Sequence, residues 1–104
     1  MNKKTYIFML SDSDRKRHEH LKDKGKIIEF VVQYEMLYKD KWIPVIRYDT
    51  AHGFVHKDLI NPDGSKEKIF MGEANLNEVM NIADKGINEN WEKYKNRYLR
   101  WIKT

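Results

Sequence analysis

No cysteine occurs among the 104 residues, which removes disulfides, thiolate zinc sites and thiol nucleophiles together. Any bound metal would have to rest on histidine and carboxylate. Proline is scarce at two residues, and no apolar run approaches the roughly 20 residues that cross a bilayer. The opening MNKKTYIFMLSDSD holds an apolar stretch around Tyr6–Leu10 that is shorter than a secretory core and lacks a small-residue cleavage site. Cytoplasmic residence without membrane contact is the expectation. There is no P-loop, no dinucleotide glycine pattern, no serine-nucleophile motif, no internal repeat and no low-complexity linker.

What remains is a charged, foldable chain. Hydrophobic residues make up 40% and charged residues 35%, a balance that supports one modest core and one domain over residues 1–104. The charge is unevenly placed. Residues 1–26 carry eight basic and four acidic side chains, residues 27–92 seven and twelve, and residues 93–104 five and none. Two basic ends flanking an acidic middle make the ends the candidate phosphate-binding surfaces, with Arg15 and Arg17 on one side and Arg97 and Arg100 on the other.

The pattern predicts an α+β fold, an antiparallel sheet of four to five strands with one long C-terminal amphipathic helix packed on one face. Residues 1–17 read as an arm, and SDSDRKRHEH as a polar loop leading into a strand. Sheet is expected over residues 26–71. Ile28, Phe30, Val32, Tyr34, Met36 and Tyr38 alternate with polar residues, the period of a half-buried strand. A turn at Lys39-Asp40 would set Met36 opposite Ile43, Tyr34 opposite Val45 and Val32 opposite Arg47. Pro44, lacking an N–H, implies an edge or bulge there, and Asn61-Pro62-Asp63-Gly64 is a turn joining strands at His56–Ile60 and Lys66–Met71.

From Asn75 the period becomes helical, through Leu76, Val79, Met80, Ala83, Ile87, Trp91, Tyr94, Tyr98 and Ile102, with a capping box at Asn75 and Glu78 and an i,i+4 pair at Glu89 and Lys93. Gly86 marks a kink or a close approach to the sheet. A helix over 75–102 would be about 42 Å long, against about 20 Å for a six-residue strand, so its end should overhang the sheet. Tyr98, Leu99, Trp101 and Ile102 on that end imply a cover, and a homodimer through this helix is the expectation.

Chemistry concentrates in two histidine motifs, His18-Glu19-His20 and His52-Gly53-Phe54-Val55-His56. Histidines at i and i+2 on a strand share a face, so His18 and His20 can form half a zinc site, completed only where His52 and His56 lie beside them. A metal-free alternative uses Arg47, Tyr48, His52, His56 and Lys57, with Asp49, as a ribonuclease set. RNA cleavage needs a base for the 2′-hydroxyl, an acid for the leaving oxygen and cations at the phosphate. In this scheme His52, His56, Tyr48 and Asp49 are catalytic, and Arg47 and Lys57 face phosphate; no cofactor is required. A third reading makes RYDTAHG structural, a strand end with an Asx-type turn at Asp49 and a positive φ at Gly53, in a non-enzymatic dimeric interaction module.

The segment from Ile46 to Asp58, IRYDTAHGFVHKD, followed by Pro62-Asp63-Gly64 and a C-terminal helix, resembles a family of small uncharacterised prokaryotic proteins with an RYDxAHGxxHxD signature. The likeness covers about residues 18–95. The order Tyr-Asp-x-x-x-Gly-x-x-His is more distantly similar to TumE-like toxins of toxin–antitoxin modules. That similarity implies RNA as target, an antitoxin protein as partner, and roles for Tyr48, Asp49, Gly53 and His56. Those toxins continue Gly-x-[His/Asp]-His-x-His, where this chain has Gly53-Phe54-Val55-His56-Lys57-Asp58.

Overall fold

The computed structural model describes residues 1–51, 54–72 and 75–102. Six strands, β1 (Asn2–Ser11), β2 (Asp14–Asp23), β3 (Lys26–Tyr38), β4 (Lys41–Ala51), β5 (Phe54–Ile60) and β6 (Lys66–Phe70), precede one helix, α1 (Leu76–Ile102). The strands form a single antiparallel meander in chain order. The fold is α+β as expected, with six strands rather than four to five. The two extra strands come from residues 2–23, where the sequence suggested an arm and a loop. The cause is visible in β2: Asp14, Lys16 and His18 are buried while their neighbours are not, so the alternation is complete but written in polar residues. A hydrophobic-period test cannot see it.

The turns follow backbone chemistry. Lys24-Gly25 and Lys39-Asp40 both take positive φ at both positions, the mirror-image turn whose twist suits a two-residue hairpin. At the β5–β6 turn Gly64 has φ +87° and donates its N–H to the Asn61 carbonyl, while Asn61 N–H bonds the Ser65 carbonyl, as the NPDG signal predicts.

Two bulges correct the expected registers. Met36 does face Ile43, but one extra residue beside Pro44 then sets Tyr34 opposite Ile46 and Val32 opposite Tyr48. Proline cannot complete a ladder, and the bulge accommodates it. A second bulge lies across from Leu21–Lys22, where Leu21 pairs with Glu29 and Lys22 with Ile27. The skipped Ile28 turns outward and Ile27 inward, so Ile27 joins the core in place of Ile28.

The core lies between α1 and the centre of the sheet: Phe30, Val32, Tyr34, Met36, Ile46, Tyr48 and Val55 from the strands meet Val79, Met80, Ala83, Ile87 and Tyr98. Asn75 caps the helix, its Oδ1 accepting the N–H groups of Asn77 and Glu78 at 3.0 and 3.2 Å. Leu76 lies by the β2–β3 turn, Trp91 stacks near Tyr34, and Tyr98 reaches Tyr38. The helix therefore runs parallel to β3 along its whole length. Its 27 residues give about 40 Å against about 43 Å for the 13 residues of β3. The expected overhang reduces to the last turn, where Trp101 and Ile102 are exposed while Tyr98 is buried. Among the described residues no helix is long and apolar enough to cross a membrane.

Polar contacts on both flanks fix the helix laterally. Asp14, 1% exposed, accepts hydrogen bonds from Ser11 Oγ and Tyr34 Oη at 2.6 Å and from Lys95 Nζ at 3.0 Å. On the other flank Arg97 bonds Asn61 and Glu67 of the β5–β6 hairpin. Burial pushes the Asp14 carboxyl up, but the bonds from Ser11, Tyr34 and Lys95 outweigh it and hold the group below its ordinary value. A carboxyl lowered on folding stabilises fully above its unfolded pKa near 4, and the stabilisation is lost as pH falls through the folded value. Asp14→Asn should therefore cost about 3 kcal/mol at neutral pH and flatten the acid limb of stability; urea unfolding from pH 7 down to pH 2 measures both, and an unchanged acid limb contradicts the assignment.

Gly86 is the close approach. A Cβ there would stand 3.1 Å from the Tyr48 hydroxyl. Gly86→Ala should lower stability by about 1–2 kcal/mol through overpacking. In a Tyr48→Phe background, which removes the clashing oxygen, the same change should raise it by about 0.5–1 kcal/mol through helix propensity. Stabilisation in both backgrounds would show that the contact does not constrain the helix.

Candidate functional site at the β1–β2 edge

Strand alternation divides the RYDTAHG motif between the two faces of the sheet. Tyr48 points to the helix side, buried beneath Gly86. Lys57, its cross-strand partner, is on the same side and donates to Tyr94 Oη at 2.9 Å. Burial, then Tyr94, pushes the Tyr48 phenol up. Burial works to lower Lys57, but its Tyr94 bond and Tyr48 outweigh it and leave the ammonium raised. Both groups keep their ordinary protonation at neutral pH, which suits packing more than proton transfer.

Arg47 and Asp49 lie on the opposite, helix-free face, with Asp58 across from Arg47 and His56 across from Asp49. The four expected catalytic residues are thus not gathered: Tyr48 is separated from Asp49 and His56 by the sheet itself, and His52, like Gly53, lies outside the described residues. Thr50 serves the backbone, its Oγ1 accepting the Phe30 N–H at 3.1 Å.

The helix-free face holds a chain of polar contacts. Arg15 stacks over Trp42 and pairs with Glu35 at 2.6 Å, Gln33 bridges Glu35 and Arg47, and all of these bonds are 2.6 Å. Arg15 and Arg47, expected at phosphate, are therefore occupied by a carboxylate and an amide. Arg17 pairs with Glu19, Arg97 ties the helix to the β5–β6 hairpin, and Arg100 is exposed in the last helical turn. These cations and Lys57 do not form one patch. Burial and then the nearby Asp58 raise the Asp49 carboxyl, with Arg47 opposing. His56 Nδ1 and Asp58 Oδ1 are buried without a hydrogen-bond partner among the described residues.

A different cluster is gathered on the helix side of β2. Asp84 of α1 meets His18 Nδ1 at 3.0 Å, and His18 Nε2 meets His20 Nδ1 at 2.8 Å. Lys16 steadies the carboxylate, lying 3.3 Å from Asp84 and 2.8 Å from Asn88 Oδ1. Hydrogen placement follows from the acceptor at the end of the chain. A carboxylate only accepts, so His18 carries its hydrogen on Nδ1. With both rings neutral, His18 Nε2 must accept, His20 must donate from Nδ1, and His20 Nε2 is left as a lone pair. His20 lines a surface depression with Asn2, Lys4, Tyr6 and Lys22. Burial, then His18, Lys22 and Lys4, lowers the His20 imidazole, so it is a neutral base at pH 7. The Tyr6 ring sits 6.2 Å from His20 and 5.9 Å from Phe8.

The Asp84–His18–His20 relay was half legible. The HEH spacing correctly predicts a shared face, but as a metal half-site. Asp84 lies 64 residues beyond His20 in a periodic helix and gives no local signal. The rings bond each other instead of converging on one point, and His56 is on the opposite face, so the two described parts of the four-histidine set (His18, His20, His52, His56) do not meet. Among the described residues no group of three or more His, Cys, Asp or Glu side chains is arranged to hold a metal ion.

Residues 1–104 match one protein-family model, described as Domain of unknown function (DUF7718). The chain belongs to the DUF7718 family. No curated protein and no solved structure matches it. The relay of this DUF7718 chain yields a direct check. His20 should titrate below the ordinary histidine value of about 6.5. Replacing Lys4 and Lys22 with alanine should move its midpoint up, and Asp84→Asn, which removes a stabilising anion, should move it further down. NMR titration of the ring protons reads all three, and a His20 midpoint insensitive to Lys4 and Lys22 contradicts the cluster.

Proposed function

We propose that this DUF7718 chain binds and cleaves single-stranded RNA at the β1–β2 edge, with His20 as general base. The observation that carries this is the Asp84–His18–His20 chain ending among Lys4, Tyr6 and Lys22. The depression combines cations for phosphate with aromatic rings on which bases stack. The eight basic residues of positions 1–26 all belong to this hairpin, its turns and the start of β3.

In the proposed step His20 Nε2 takes the proton of a ribose 2′-hydroxyl. The oxygen attacks the adjacent phosphorus, the bond to the 5′-oxygen breaks, and a 2′,3′-cyclic phosphate forms. Lys4 and Lys22 offset the charge of the phosphorane, and the leaving oxygen takes its proton from water. Asp84 and His18 position His20 and share the added proton. The RYDTAHG motif is structural in this scheme, a role supported by Tyr48 beneath Gly86 and by the Thr50 bond to the Phe30 backbone. The function corresponds to the toxin of a toxin–antitoxin pair, neutralised by a protein that covers the edge.

The test is cleavage of a short labelled RNA beside the same strand lacking the 2′-hydroxyl at each position. RNA should be cut and the deoxy strand only bound. His20→Ala should reduce the rate by about 10²–10³-fold, and His56→Ala should not change it. The rate should rise with pH through a midpoint below the ordinary histidine value, as the lowered His20 becomes a base. Expression without a neutralising partner should slow host growth, and His20→Ala should relieve it. Wild-type protein that leaves RNA intact, or a His20→Ala variant with full activity, would overturn the proposal.

A further inference from the structure

The two edges of the sheet are built differently. β6 is five residues long, KEKIF, and three of them are charged. Short length and charge are the usual guards of a strand whose outer N–H and C=O groups are unpaired. β1 is ten residues long and, among the described residues, bonds only to β2. Along it Tyr6, Ile7, Phe8 and Met9 are consecutive and 40%, 48%, 48% and 57% exposed. Its guards are Lys3 and Lys4 near one end and an irregularity between Met9 and Ser11 at the other. The middle is open, apolar on both faces and free to pair.

We propose that β1 pairs antiparallel with β1 of a second copy, joining two six-stranded sheets about a two-fold axis at Ile7 or Phe8. The strand's own charges select this occupant and direction. Parallel pairing would set Lys3 and Lys4 beside the same two lysines, whereas antiparallel pairing sends them to the end where the second copy carries Asp12. With the axis at Phe8, Lys4 is brought toward the end of the second copy's β1, where the β1–β2 turn carries Asp12. Residues facing each other across an antiparallel ladder share a side of the sheet, so the axis passes through a residue pair and not between residues. Tyr6 and Phe8 then meet their mates on the helix side, and Ile7 and Met9 on the other. Four exposed apolar side chains per copy are covered and the outer backbone groups of β1 find partners. In this proposal the second copy sits on the β1 edge and not on the C-terminal helix, whose apolar face packs on β3 up to the last turn.

The arrangement gives the edge site a second wall. Each helix stands over its own β3, with β2 and β1 of both copies between. Five strand spacings make about 24 Å, and subtracting one helix diameter leaves a trough about 14 Å wide. Its floor is Lys4, Tyr6, Phe8, His20 and Lys22 from both copies. The pairing stands independently of what the trough binds.

The absence of cysteine makes the test clean. Ile7→Cys and Phe8→Cys are made singly, with Lys39→Cys in the β3–β4 turn as control, and oxidised mildly. One of the first two should form a cross-linked pair while the control stays single. Sedimentation of wild type should give the mass of two chains, and Ile7→Lys, at an exposed position and with an unchanged circular dichroism spectrum, should weaken association by at least about 10-fold. A single-chain mass for wild type up to about 100 μM, or a dimer that neither cysteine cross-links and Ile7→Lys does not weaken, overturns the proposal. None of these measurements uses RNA, so failure of the RNA reading leaves them unaffected.

Discussion

One helix about 10 Å across cannot cover six strands set about 4.8 Å apart, and the setting of the reactive side chains described above follows from which strands α1 covers and which it leaves bare. Beneath its axis the sheet is apolar: Phe30, Val32, Tyr34 and Met36 of β3, with Ile46 and Tyr48 of β4, are all buried. Under its flank β2 is polar but enclosed. Beyond the flank β1 is uncovered. Lateral distance from one helix thus grades the sheet from core to seam to open edge.

The seam depends on two periods that nearly coincide. Alternate residues on a strand advance about 6.6 Å, and four residues of helix about 6 Å. His18 and Lys16 on β2 therefore meet Asp84 and Asn88 on α1, and Asp14 meets Lys95 further along. Most buried polar groups are hydrogen-bonded, and Asp14, Lys16 and His18 all are. The same condition orders the relay, because Asp84 fixes the tautomer of His18 and through it the free nitrogen of His20. The helix that makes the core also aims the base.

What the sequence revealed depended on whether the signal was local and apolar. The helix, its Asn75 cap, the strand from Lys26 to Tyr38, the bulge at Pro44 and the NPDG turn each rest on a few neighbouring residues and each is present. β2 was hidden because its alternation is carried by Asp14, Lys16 and His18, which bury polar side chains against helix residues more than 60 positions away, and β1 because its apolar residues are consecutive and exposed on both faces. The density of reactive groups in RYDTAHGFVHKD misled in the other direction. Neighbours along a strand are parted when successive side chains face opposite sides, and Tyr48 is separated from Arg47 and Asp49 for that reason.

The chain-order meander has a consequence for how this protein assembles itself. Every strand pair joins sequence neighbours through turns as short as two residues, so each hairpin closes a small loop and incurs little closure entropy. The helix is the element that must return from the β6 edge, past β5 and β4, and its landing strip is β3, in the middle. Order therefore spreads outward from β3, and β1, last in the sheet and outside the helix's reach, sits at the low end of the local stability gradient. A strand that frays most readily is also the one most easily recruited by another chain.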